Sequence, residues 1–247
     1  MENINDSYFD GYYKEMWRTI IPEELTVREV DFIVPYFNLQ PGNTVLDLMC
    51  GYGRHAIALA KKNIGVTAVD NLDSYIKEIK QVAQKEKLTI NAVRSGAIEF
   101  KTDDTFDLVL CMGNSLNFFN ASDTALILAN ISSSLKTGGN LLINTWSLAE
   151  IAIKQFKERN WTYVGDFKFL VESRYLFHPT RIETEHFIIA PDGKSESKSA
   201  IDYIFSIAEM ESMLSKAGLA MKEIYSIPGK KKFTLGEPRA YIIAGKI

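Results

Sequence analysis

The chain is poor in the residues that mark several common functions. Only two of its 247 residues are cysteine and three are histidine. Cys50 and Cys111 have no metal-like spacing, and each closes an apolar run. That pattern predicts reduced, buried thiols and no metal site. Basic residues are not in excess: Lys plus Arg number 28 against 31 Asp plus Glu, a net charge of -3. Proteins that grip phosphate backbones show a basic excess or stripe, so no nucleic-acid partner is expected. The longest basic run, Lys230-Lys231-Lys232 after Pro228-Gly229, reads as a solvated turn. No apolar stretch reaches the ~18 residues needed to span a bilayer, and Met1 to Asp10 is too polar and acidic for a signal peptide. A cytoplasmic protein without a membrane partner is the expectation. What remains is ordinary for a globular chain, 46% hydrophobic and 24% charged, and long enough for one enlarged domain or a core with an inserted lobe.

Apolar spacing orders the chain. Tyr8, Tyr12, Tyr13, Met16, Trp17 and Ile20 recur at helical intervals, and a second helix follows Pro22. From residue 40 short apolar runs alternate with amphipathic segments. The runs are Val45–Leu48, Val66–Val69, Leu88–Val93, Phe106–Leu110 and Leu141–Ile143. The intervening helices are predicted over Arg54–Lys62, Ser74–Lys85 and from Ser122 or Asp123 to Leu135, stopped by Gly138-Gly139. Strand–helix–strand alternation implies right-handed crossovers and a mainly parallel sheet covered on both faces. The rhythm breaks near Leu148. Trp161 to Phe205 is rich in aromatic and β-branched residues, with a hairpin-type turn at Pro191-Asp192-Gly193. The prediction is an α/β, doubly wound Rossmann-like fold with a seven-stranded, mostly parallel sheet. It divides into an N-terminal helical lid (1–39), a core (40–147 and 206–247) and an inserted antiparallel β lobe (148–205).

One segment carries most of the chemical information, Val45-Leu46-Asp47-Leu48-Met49-Cys50-Gly51-Tyr52-Gly53-Arg54-His55-Ala56. Gly51 and Gly53 let backbone approach a ligand at the carboxyl end of the first strand, where a helix N-terminus offers free N–H groups. Asp70 ends the next strand, where a carboxylate can accept both hydroxyls of a ribose. Together they indicate a nucleoside-type cofactor. The same glycines fit a nicotinamide dinucleotide fingerprint. Asp47 argues against it, since an anion there repels a pyrophosphate and attracts an ammonium.

Asp47-Leu48-Met49-Cys50-Gly51-Tyr52-Gly53 resembles the first motif of class I S-adenosylmethionine-dependent methyltransferases. Asp70 matches the acid at the end of their second strand, and Phe106-Asp107-Leu108-Val109-Leu110 matches their fourth. Leu135-Lys136-Thr137-Gly138-Gly139-Asn140-Leu141-Leu142 is similar to their turn into the fifth. The resemblance covers residues 40–147 well and the last strands loosely. It implies S-adenosyl-L-methionine as cofactor. Asp47, Gly51, Tyr52 and Gly53 would hold its methionine part, Asp70 its ribose, and Asn71 and Leu72 its adenine, while Arg54 either contacts the cofactor carboxylate or is a solvated helix start. Cys111, Met112 and Gly113 would lie beneath its sulfonium. Two positions depart from the pattern. Met49 replaces the first glycine. In Arg94-Ser95-Gly96-Ala97, Gly96 falls where an acid usually binds the adenine amino group, leaving backbone groups of Gly96 and Ala97 to replace it.

Cys111-Met112-Gly113-Asn114-Ser115-Leu116-Asn117-Phe118-Phe119 lacks the prolines of enzymes that methylate the exocyclic amines of bases. It resembles the small-molecule branch, including N-methyltransferases of amino sugars and of glycine-like amines. A small-molecule methyl acceptor is therefore expected, facing Tyr12, Trp17, Asn114, Ser115 and Phe118. No general base stands out. His178, His186 and Tyr13 are the candidates, and His55 either approaches the cofactor or lies on the surface. The competing readings are an RNA or protein methyltransferase, a nicotinamide-dependent oxidoreductase, and a nucleotide-binding module without catalysis.

Overall fold

The computed structural model describes residues 3–247, so Met1 and Glu2, the first two residues of the predicted lid, lie outside it. The chain opens with a 3-10 turn, Ile4–Ser7, then α1 (Gly11–Ile20) and α2 (Glu23–Tyr36). Pro22 caps α2, a place where its missing N–H costs nothing. The alternating segments form β1 (Thr44–Leu48), α3 (Arg54–Ala60), β2 (Gly65–Asp70), α4 (Asp73–Glu86), β3 (Ile90–Arg94), β4 (Phe106–Cys111), α5 (Ala121–Ser134) and β5 (Leu135–Thr145). After α6 (Ala149–Gln155) come β6 (Arg159–Val164), β7 (Phe167–Phe177), β8 (Thr180–Ile189) and β9 (Ser195–Tyr203). Then α7 (Ile207–Lys216), β10 (Leu219–Ile227), β11 (Lys231–Lys232) and β12 (Ala240–Lys246) close the chain.

The main sheet runs β11-β10-β12-β5-β4-β1-β2-β3. Its pairs from β5 through β3 are parallel, while β12 runs antiparallel to β5 and β10. This is the predicted α/β sheet with one strand more: seven strands were expected, and β11 adds a two-residue eighth. It folds Lys231 and Lys232 back on Tyr225 and Ile227, so the basic run is an edge strand as well as a turn. The two faces of the sheet bury separate apolar clusters. One lies under α5 and α7 around Val109, Leu141 and Ile242. The other lies under α2, α3 and α4 around Val45, Leu110 and Ile243. Adjacent residues of one strand reach opposite faces, so a continuous apolar run such as Leu108–Cys111 is what a doubly covered strand requires.

Two boundary expectations around α5 are corrected. Its cap is Asn120, whose side chain accepts the Asp123 N–H, not Ser122 or Asp123. The helix stops at Ser134, before the glycines. Gly139 instead serves a close approach within β5: a Cβ there would stand 2.9 Å from the Lys136 carbonyl and 3.0 Å from that of Phe106.

The segment between α6 and α7 forms a separate antiparallel sheet ordered β6-β7-β8-β9. One of its faces meets α1 and the 3-10 turn, burying Tyr8, Tyr13, Met16, Ile188 and Ala200 together. Period-two alternation makes this possible, since Thr184 and Ile188 of β8 point inward while Glu185 and Phe187 are exposed. Among the described residues, no helix is long and apolar enough to cross a membrane.

Candidate functional site

The carboxyl ends of β1, β2 and β4 converge on a cleft of about 670 Å³. β1 runs into a turn held by positive backbone angles at Met49 (φ 60), Gly51 (φ 57) and Gly53 (φ 76). Met49 therefore adopts the left-handed conformation that glycine would supply more cheaply. A Cβ at Gly51 would meet nothing within 4 Å, so the turn presents bare backbone to open space. Asp47 is buried beneath it and accepts the Ala56 N–H at 3.2 Å. Burial raises its pKa.

Asp70 binds the turn from the neighbouring strand. Its Oδ2 accepts the Gly51 N–H at 2.8 Å, and its Oδ1 accepts the Leu72 N–H at 3.0 Å. Burial raises its pKa as well. A carboxylate offers about four acceptor positions, so two bonds leave capacity for a pair of ligand hydroxyls. The donor set thus fits a nucleoside: a carboxylate at the ribose position, bare backbone beside it, and the apolar side chains of Leu72, Ile98 and Phe119 along the wall.

The predicted donor residues Asp47, Gly51, Tyr52, Arg54, Asp70, Asn71, Leu72, Gly96, Ala97, Met112 and Gly113 all line this cleft. Gly53 and Cys111 do not. Gly53 faces away, where a Cβ would press 2.7 Å from Ile79 Cγ1, so its glycine serves helix packing. Cys111 is wholly buried in the core, because it is a strand residue pointing into the α5 layer. Of the predicted acceptor residues, Trp17, Ser115 and Phe118 line the cleft, and Tyr12 and Asn114 do not. Tyr12 packs on Phe167 and donates its N–H to Glu196.

Asn114, with φ 67, is a buried structural hub. Its Oδ1 accepts the N–H groups of Trp146 (2.9 Å) and Ser147 (3.1 Å) and lies 2.9 Å from Thr145 Oγ1. Its Nδ2 donates to Ser147 Oγ at 2.8 Å and to Asp202 at 2.7 Å. This ties β4, β5 and β9 together. Burial lifts the Asp202 pKa from 3.8 to about 6.

None of the three base candidates lines the cleft. His178 is exposed in the turn between β7 and β8. His186 stacks on Phe169 with ring centres 4.9 Å apart, and its Nδ1 is 2.9 Å from the Tyr8 hydroxyl. Burial lowers its pKa to about 4. Tyr13 is buried against Tyr8 and Trp17, and burial raises its pKa. His55 is neither on the surface nor free. It is buried with Nε2 2.9 Å from Glu29 Oε2, which also takes Arg54 Nη1 at 2.6 Å. Glu29 Oε1 accepts the Tyr241 hydroxyl at 2.7 Å. Although burial opposes ionisation, His55 and Arg54 together bring the Glu29 pKa down to about 2.

The N-terminal aromatics divide between two roles. Tyr8 and Tyr13 are packing residues, whereas Trp17 and Phe9 face the cleft. Trp17 lies over the floor, with its Cζ2 3.7 Å from where a Cβ on Gly113 would be. Asn3 and Asn5 donate to the Phe118 carbonyl at 3.0 and 3.2 Å, and Asn71 donates to the Asp6 carbonyl at 3.1 Å. The start of the chain thus bridges both banks. The sequence reading missed Phe9, Asn3, Asn5 and Glu99. Glu99 lines the cleft, and its carboxylate fills the space a side chain at Gly96 would enter. A carboxylate thus stands in the cleft beside position 96, carried by a residue three further on.

This strand order, with the glycine turn and acidic strand end at one edge, defines a class I methyltransferase fold. Residues 45–139 match the family described as a methyltransferase domain. Residues 45–139 thus carry a methyltransferase domain. A protein of Geobacillus sp. (strain WCH70), provisionally named a methyltransferase, is 26% identical over 90% of this chain and 86% of its own length. A glycine/sarcosine N-methyltransferase from Aphanothece halophytica is 25% identical over 67% of this chain and 64% of its own. The S-adenosylmethionine-bound structure of CalS10, an amino pentose methyltransferase from Micromonospora echinaspora, shares the fold with a TM-score of 0.72. It is 17% identical, over 96% of this chain and 98% of that one.

Proposed function

We propose that the protein methylates a nitrogen or oxygen atom of a small molecule. The observation that carries this reading is the enclosure of the cleft. Trp17 and Phe9 stand over it, and residues 3–6 bond to both of its banks. An enclosed cleft suits a small acceptor better than an extended RNA or protein, and the net charge of -3 gives no footing for phosphate binding. The names of the glycine/sarcosine and amino pentose enzymes support the same class. In this reading residues 40–147 and 206–247 form the donor-binding core, 148–205 an inserted β lobe and 1–39 a helical lid.

S-adenosylmethionine, when bound, supplies a methyl group activated by positive sulfur. Asp47 and the Gly51 turn would hold its amino-acid end, Asp70 its ribose, and Leu72 and Glu99 its adenine. Trp17 would present a ring face to the cation, over Met112 and Gly113. The protein's work is then alignment and exclusion of water. With His178, His186 and Tyr13 all outside the cleft, an amine that reacts as its neutral form suits the site best, since a hydroxyl needs a general base.

Calorimetric titration with S-adenosylhomocysteine, with a nicotinamide dinucleotide as control, tests the donor assignment. Micromolar binding of the former alone is expected, and Asp70→Ala should weaken it about tenfold or more. That is the loss of roughly 1.4 kcal/mol expected when charged hydrogen bonds disappear. Unchanged affinity would remove Asp70 from the role. Glu99→Gln should cost about threefold to tenfold in the same titration. If it costs nothing, Glu99 does not read the adenine.

A further inference from the structure

A second cavity, of about 1140 Å³, lies between α2 and the chain segments around Pro228 and Pro238. Among the described residues Trp17 alone lines both it and the donor cleft. Trp146, with its ring centre 6.2 Å from that of Trp17, stands beside this junction. The far wall is aromatic, formed by Phe32 and Tyr36 with ring centres 4.7 Å apart. The cavity thus meets the donor cleft at the Trp17 ring, whose other side stands over Gly113.

Its charges are unevenly committed. The lining acids Glu29, Asp31 and Glu237 are all engaged. Glu29 is tied to Arg54 and His55, Asp31 is 3.6 Å from Lys62, and Glu237 is paired with Lys231. The lining cations Arg28, Lys230 and Arg239 form no ion pair with a described residue, although Arg239 is hydrogen-bonded to the Tyr241 hydroxyl. Two guanidinium groups without carboxylate partners, beside flat aromatic walls, make a site for an apolar ring bearing an anionic group. Ligand cavities follow this pattern, mostly apolar with a few placed charges that fix orientation.

We propose that this cavity is the acceptor groove, and that it selects a flat, apolar acceptor with a carboxylate or other anionic group held by Arg28 and Arg239. The nucleophilic end then lies at Trp17. This rests on the small-molecule methyltransferase reading and names the substrate class within it. The anion anchors the end remote from the reaction, so it orients the acceptor without taking part in the transfer.

Two probes that differ in charge alone test it. Indole-3-acetate and indole-3-acetamide would be titrated into the protein in the presence of S-adenosylhomocysteine, with binding followed by ligand-observed NMR. The acetate is expected to bind about tenfold more tightly than the amide, with a preference that fades as salt rises. In the Arg28→Gln/Arg239→Gln double variant the two probes should bind alike, while S-adenosylhomocysteine affinity stays within about twofold of the parent. That unchanged donor affinity also reports that the variant is folded. Equal binding of both probes to the parent would overturn the proposal, as would no binding of the acetate or a preference that survives in the double variant. Loss of S-adenosylhomocysteine binding by the parent would instead overturn the methyltransferase reading, and the two failures are read from different ligands.

Discussion

Two buried polar ties flank the donor cleft, and they are built on opposite principles. The first is ionic: Glu29 of α2 holds Arg54 and His55 of α3 and the Tyr241 hydroxyl of β12. The second is an amide hub: Asn114 collects donors from β5 and passes its own protons to Ser147 and Asp202. The ionic tie is strong only while Glu29 is charged. The Glu29 pKa lies below its ordinary 4.5, at about 2, so its contribution is full above pH 4.5 and is lost as pH falls toward 2. Asp202 behaves in the opposite sense. Its pKa is raised to about 6, so the favourable neutral state is complete below the ordinary value of 3.8, and the benefit is lost as pH rises through 6. Acid therefore weakens the ionic tie and strengthens the amide hub.

The largest break in this symmetry is expected from Glu29→Gln. It leaves the buried Arg54 without its counter-ion, and about 3–5 kcal/mol of stability should disappear at pH 7. Urea denaturation measures it, and the loss should shrink steadily below pH 4.5. A variant as stable as the parent would show that the ionic tie contributes nothing net. Asn114→Ala comes next. It strands the Trp146 and Ser147 N–H groups, at about 2–3 kcal/mol in total, and this cost should grow as pH rises through 6, because charged Asp202 also loses a donor. The smallest effect belongs to Asp202→Asn, which keeps an acceptor for Asn114 without the charge. It should leave stability unchanged below pH 4 and add about 1–2 kcal/mol above pH 6. Stabilisation that is equal at all pH values would reject titration of Asp202 as the cause. His186, with its pKa lowered to about 4, adds a further acid-side loss beginning near pH 6.5 in both parent and variants.

The residues that line the cleft from β1 and β2 were legible because they are local in sequence. Asp47, Gly51 and Gly53 fall within one turn, and Asp70 ends the next strand, so strand order alone brings them together. The same locality made the sheet readable through β5. The ties were not legible. Glu29 sits on an amphipathic helix where a solvated face is the ordinary reading, and its partner Tyr241 is 212 residues away. Asn114 looked like a substrate contact because it follows β4 at the cleft, but its left-handed backbone turns the amide inward toward residues 31 to 33 further on, and to Asp202. Glu99 escaped because the family pattern looks for an acid at one position, whereas the carboxylate beside Gly96 comes from three residues further on. Tyr12 and His186 were read from periodicity and residue type, and periodicity cannot tell a face that packs on a second sheet from one that meets a ligand.

The bond between Asn5 and Ile201 has a consequence for how the site comes into being. Asn5 accepts the Ile201 N–H and donates to its carbonyl, both at 3.0 Å, across 196 residues of chain. Asn5 therefore finds its seat only after β9 has formed. Contacts of such long range are slow to form, because the whole intervening loop must be ordered first. The pairs β1–β2 and β1–β4 that carry the glycine turn join residues much nearer in sequence. Docking of Asn5 on β9 is thus the long-range step that draws residues 3–6 across the cleft.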